Sequence, residues 1–288
     1  MPNVELQPKQ NLSSFRRIAI GTWRDAYDPS VYGSMTLRMD QALRYLEEFR
    51  QRTGKRLTIT HMMAKAVAAA LVEMPDANAI LRWNRPYLRR RIGVFFQVAM
   101  EDDETGELDL SGARIYDAEK KSLVEIIDEF EQQVHQVRRK QDESLERTRA
   151  TFKRIPCLLL NLVLRMLSFV SYTLNLDLSR FGLPKDPFGS AMITNIGSLG
   201  LEEAYVPLVP YSRVPLLLAV GAVRQAPVVE EGAVRVGHIM RVHATFDHRL
   251  LDGTHAAIMA RVVRTWFERP YEHFGPIPEP TPAGAQAS

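Results

Sequence analysis

Cysteine is almost absent: Cys157 is the only one in 288 residues. One cysteine excludes an intrachain disulfide framework and a thiolate metal cage within the chain, and it fits a reducing compartment, the cytoplasm. Excess charge is scarce too, with 37 basic against 34 acidic residues giving a formal +3. A surplus that small gives little attraction to nucleic acid. The basic groups that do cluster, Arg85 to Arg91 and Arg147 to Arg154, could meet phosphates of a nucleotide or lipid head group, but solvated helix ends and loop edges are the favoured reading. Thr53-Gly54-Lys55 lacks the glycine-rich lead-in of a phosphate loop, and no Gly-x-Ser-x-Gly elbow of a serine hydrolase occurs. His238, His243, His248 and His255 follow spacings that match no compact ligand motif, so no metal site is expected. No internal repeat or glycine-serine linker divides the chain, and no charged lead-in with an apolar core marks a secretory signal.

What is present is an ordinary globular composition, 45% hydrophobic and 25% charged. Residues 1–12 and 276–288 are expected to be loose ends, with one folded unit over 13–275. Apolar positions 39, 42, 43, 46 and 49 predict an amphipathic helix closed by Thr53-Gly54. Thr60 is expected to cap a largely buried helix from His61 to Met74. Ile92 to Met100 predicts a strand running into an acidic turn, 101–106. Ser122 with Glu125 predicts a capping box opening a charged helix through about Arg149. Val214–Val223 and Ala233–Phe246 predict extended segments joined by a turn over 229–233, and Thr254–Phe267 a closing helix. Helices mixed with strands, some of them antiparallel, define an α/β or α+β sandwich.

The segment from Ile155 to Leu178 carries few charges, Arg165 among them. A bilayer span needs about 20 apolar residues, and a central arginine costs about 3 kcal/mol on insertion scales. The segment is therefore expected to be a buried helix, with membrane contact through 155–178 not favoured over burial.

Chemistry is concentrated in Ala244-Thr-Phe-Asp-His-Arg-Leu-Leu-Asp-Gly253, an apolar run that ends in His248, turns through Asp252 and Gly253, and continues into a helix. An imidazole with an ordinary pKa near 6.5 needs little adjustment to serve as a general base. A second passage, Ala191 to Gly200, is a strand that breaks into two glycines with Thr194, Asn195 and Ser198 near the break. It offers hydroxyl donors for a developing oxyanion.

These passages resemble the catalytic domain of the 2-oxoacid dehydrogenase acyltransferases, the dihydrolipoamide acyltransferases, relatives of chloramphenicol acetyltransferase. Phe246 to Gly253 looks like the family's His-x-x-x-Asp-Gly signature, and Ile193 to Gly200 like its Ser/Thr-Asn-x-Gly strand. Leu57 to Asn78 and Ile115 to Ile126 also read as family segments, so the resemblance covers about residues 15–270. It implies a chloramphenicol acetyltransferase-like two-layer sandwich, a mixed sheet covered by helices, with active sites between the subunits of a homotrimer or a higher assembly of trimers. It implies acyl-coenzyme A as substrate, His248 as base on the thiol of coenzyme A or dihydrolipoamide, and Thr194 as oxyanion donor. Asp252 would be a positioning residue paired with Arg16 or Arg17, while Asn195, Gly197 and Gly253 would support the turns. No lipoyl lysine is expected in cis, so a lipoyl domain would act in trans; a non-catalytic trimeric scaffold or a membrane-associated assembly protein that retains the acyltransferase fold is the alternative. Two departures from the family stand out: the apolar insert at about 155–187, and an acidic segment at 101–113 where the family's loop is less charged.

Overall fold

The computed structural model describes residues 2–9, 29–101, 108–138 and 156–279. The chain opens with a short strand, β1 (Leu6–Pro8), where loose chain is expected over 1–12. It pairs antiparallel with a strand over Arg85–Arg89, and Val4 just before it is buried. Three residues without periodicity give no strand signal; the ladder of a distant partner orders them. β2 (Ser30–Arg38) leads into α1 (Asp40–Thr53), which buries Ala42, Tyr45, Leu46 and Phe49 along one face. α1 closes at Gly54, in the left-handed conformation (φ 68°) that glycine adopts without a Cβ penalty.

α2 (Ile59–Glu73) is the central helix, with His61, Met62, Met63, Val67 and Leu71 among its buried residues. Burying each large aliphatic chain contributes about 1.5–3 kcal/mol. Its cap is Thr58, not the expected Thr60: Thr58 is extended and its side chain accepts from the His61 N–H at 3.3 Å. The helix thus starts two residues earlier, which puts Thr60 inside the first turn with its hydroxyl available to another partner.

β3 (Ala79–Arg82) and β4 (Arg85–Arg89) form a hairpin, and with β1 a three-stranded sheet of order β1-β4-β3. β5 (Gly93–Glu101) and β6 (Leu108–Tyr116) follow; the acidic turn between them lies outside the described residues. The Ser122–Glu125 capping box is formed, with the Ser122 N–H donating to Glu125 Oε2 at 2.7 Å, and opens α3 (Leu123–Arg138). Its expected continuation to Arg149 and the Arg147–Arg154 cluster lie outside the described residues.

The insert contains α4 (Cys157–Ser168) and one π-helical turn, Phe169–Thr173. The expected burial is realised on one side only, because Leu159, Leu162, Met166 and Phe169 are exposed. Then come β7 (Ala191–Asn195), β8 (Leu216–Glu230) and β9 (Ala233–Asp247), and finally α5 (Gly253–Glu268). β8 and β9 meet in a two-residue turn, Glu231-Gly232, both at positive φ as a tight hairpin requires. The main sheet has the order β2-β9-β8-β7-β5-β6, with the pairs around β7 parallel and the rest antiparallel. Ile193, Leu218, Val220, Met240 and Val242 join side chains of all four long helices in the main core. Met192 and Leu217 belong to a smaller cluster on the other face.

Candidate active site

β9 delivers its last residue, Asp247, to a turn that ends where Asp252 caps α5. Leu250 and Leu251 are buried and anchor the turn in the core. Asp247 binds the Arg249 guanidinium through both carboxylate oxygens and also accepts from the Arg249 N–H at 3.0 Å. His248 projects from this braced turn, with its backbone N–H on the Pro29 carbonyl at 2.9 Å. Its Nδ1 lies 2.8 Å from the Leu251 carbonyl oxygen. A carbonyl only accepts, so Nδ1 carries the proton and the neutral ring keeps its basic lone pair on Nε2. The contact fixes both the tautomer and the tilt of the ring, the two conditions that a general base needs.

Asp252 Oδ1 accepts from the Thr254 and His255 N–H groups at 3.0 and 3.2 Å and lies 2.6 Å from His255 Nδ1. The same ring nitrogen lies 3.3 Å from the Asp252 N–H; the shorter contact decides that Nδ1 donates to the carboxylate. Nε2 of His255 lies 3.6 Å from Asp76, which also binds Lys9. The contact with His255, with the ion pair to Lys9 behind it, outweighs burial and holds the Asp76 carboxyl at about 2. Lys9, Asp76, Pro86 and Leu250 line a shallow cleft beside the turn. The sequence gives no sign of this chain of groups beyond one hint: a histidine at the third helical position after an aspartate cap, able to reach back to it. Arg16 and Arg17, the expected partners of Asp252, lie outside the described residues.

On β7, Ile193 points to the helices and Met192 to the opposite face, so the period of two puts Thr194 on the face that lacks helices. Asn195 ends the strand. Its Oδ1 accepts from the Ser198 N–H at 3.1 Å, and its Nδ2 donates to Thr60 Oγ1 at 3.0 Å. This contact ties the turn to α2. Gly197 lies against β8, where a Cβ would come within 2.6 Å of the Gly221 carbonyl oxygen. Gly253 meets no such restriction and opens α5.

Thr194 and His248 are not neighbours within one chain. Thr194 pairs with Ala219, and Ala219 with His243, five residues before His248 and two strands away. Ordinary strand spacings make this about 20 Å. His238 contacts Asp40 and His243 packs edge-on against Tyr205, and among the described residues no group of three His, Cys, Asp or Glu could hold a metal.

The fold is shared with solved acyltransferases. A probable dihydrolipoamide acetyltransferase from Listeria monocytogenes 4b F2365 aligns over 91% of this chain and 95% of its own, with 17% identity and a TM-score of 0.62. The cubic core of a pyruvate dehydrogenase multienzyme complex aligns over 92% and 99%, with 18% identity and a TM-score of 0.62. A chloramphenicol acetyltransferase aligns over 91% and 100%, with 13% identity and a TM-score of 0.50. The mixed sheet with helices is therefore of the dihydrolipoamide and chloramphenicol acetyltransferase class.

The sequence narrows this class to a family. The model of the 2-oxoacid dehydrogenases acyltransferase (catalytic domain) matches residues 8–153 and 187–274, and the chain belongs to that family. The dihydrolipoyllysine-residue acetyltransferase component of the acetoin cleaving system of Bacillus subtilis (strain 168) is 24% identical over 220 residues. That match takes in 76% of this chain but 44% of the relative, so the chain spans less than half of that protein's length.

Proposed function

We propose that the protein transfers an acyl group between coenzyme A and a thiol of the dihydrolipoamide type, with His248 of one copy acting opposite Thr194 of another. The observation that carries this reading is the Nδ1 contact of His248 with the Leu251 carbonyl, which leaves Nε2 as the basic nitrogen. Nε2 takes the thiol proton as sulfur attacks the acyl carbonyl. The tetrahedral oxyanion accepts a hydrogen bond from the Thr194 hydroxyl. As the intermediate collapses, the leaving thiolate recovers the proton from the His248 imidazolium. Asp252 positions the turn by capping α5 and holding His255. The separation of His248 and Thr194 in one chain, together with the placement of Thr194 on the helix-free face, supports a site divided between copies, in a trimer or an assembly of trimers. The single cysteine supports action in the cytoplasm.

The test measures coenzyme A release from acetyl-coenzyme A with dihydrolipoamide as acceptor. His248→Ala is expected to lose about 100- to 10,000-fold in kcat, and Thr194→Val about 100-fold or more. Co-expressing the two variants in one cell should restore part of the activity, because mixed assemblies contain sites with both groups intact. Equal background rates for wild type and His248→Ala would sink the acyltransferase reading and leave the scaffold. An active wild type without rescue would confine the site to one chain.

A further inference from the structure

α4 is apolar nearly all round. Its Leu160, Val163, Leu164 and Leu167 are half-buried, while Leu159, Leu162 and Met166 stand 48%, 58% and 54% exposed on the other side. The spacing of 159, 162, 166 and then Phe169 makes one stripe along the helix. Trp83, at the tip of the β3–β4 hairpin and 60% exposed, extends it by an edge-on contact with Phe169, 5.9 Å between ring centroids. Arg82 holds the hairpin there by donating to the Thr173 carbonyl. The charge of the segment that carries this patch is mainly of one sign. Within 156–185 the exposed ionic groups are Arg165, Arg180 and Lys185, and Arg85 is exposed on the hairpin. The segment's only other ionic group is Asp177, whose carboxylate accepts from the Ser179 N–H. The family match stops at 153 and resumes at 187, so the patch is built largely on a segment outside it.

We propose that the exposed face of α4, with Trp83, docks on an anionic lipid surface, the helix lying in the plane of the headgroups. Leucine, methionine and aromatic side chains enter the acyl boundary while arginine and lysine meet lipid phosphates. At 12 residues the helix is about 18 Å long, and no helix among the described residues is long and apolar enough to cross a bilayer. Charge selects this occupant over a second copy packed twofold on the same patch. That pairing would set Arg165, Arg180 and Lys185 against their own counterparts.

The test sediments the full chain with vesicles of phosphatidylcholine alone and of phosphatidylcholine mixed with phosphatidylglycerol. Binding is expected to the anionic vesicles and to weaken with added salt. Arg165→Glu should weaken it by about fivefold or more, and Leu162→Asp by at least about tenfold. Both positions are exposed, so melting temperatures should be unchanged. Trp83 emission in the wild-type chain should shift to the blue on binding, and Trp83→Phe should remove the shift. This arm needs no folded patch variant other than a conservative one. Failure to bind anionic vesicles overturns the proposal, as does binding that neither patch variant weakens. If Leu162→Asp instead reduces the mass of an assembly in light scattering while the wild type ignores vesicles, the patch is an interface between copies.

Discussion

His61, in the first turn of α2, packs edge-on against Phe130 with 4.8 Å between ring centroids, and neither of its ring nitrogens has a hydrogen-bond partner. Burial, reinforced by Arg50 and Arg56, pushes its pKa down to about 4, so the folded ring stays neutral while the unfolded one protonates near 6.5. The unfolded state then binds more protons as pH falls. Stability is full above about 6.5 and declines through about 4, by an amount on the order of 3 kcal/mol. Denaturant unfolding across this window should show the slope in the wild type and a flatter profile in His61→Leu. At this scale the turn that carries His248 was legible because strand, turn and helix follow one another within a dozen residues, whereas the contact of its ring with the Leu251 carbonyl was not. The links from His255 through Asp76 to Lys9 join residues far apart in sequence, which no spacing encodes.

Gly197 shows how an element is positioned by what a side chain would strike. Gly197→Ala would drive a Cβ into the Gly221 carbonyl at 2.6 Å, and the cost expected from such overpacking is about 1–3 kcal/mol. Because Thr194 precedes that turn, the substitution should lower kcat as well as the melting temperature, whereas Gly54→Ala at the far end of α1 should affect stability alone. The long elements were legible wherever one period held over many residues, as in α1, α3, α5 and the β8–β9 pair. The cap of α2 was misplaced because Thr58 and Thr60 carry the same chemistry two residues apart, so the residue types alone do not say which turn comes first. β1 was missed because its order comes from β4. For α4, composition showed that the segment is apolar but not that half of it would face outward.

At the scale of the molecule, a buried ion pair ties the insert to the smaller sheet. Arg89 on β4 meets Asp186 at 2.5 Å with both side chains buried, and Asn3 Oδ1 accepts from the Asp186 N–H. Asp186→Ala strands a buried guanidinium and should cost about 3–5 kcal/mol. Asp117→Ala, which loses a more exposed pair with Arg91, should cost at most about 1 kcal/mol. Chemical denaturation of the two variants side by side checks the contrast. With the base on one chain and the oxyanion donor on another, as proposed, catalysis becomes a property of encounters between chains. Specific activity should therefore fall once the protein is diluted below its assembly constant, and excess Thr194→Val or His248→Ala chain should draw wild-type subunits into half-empty sites and poison them.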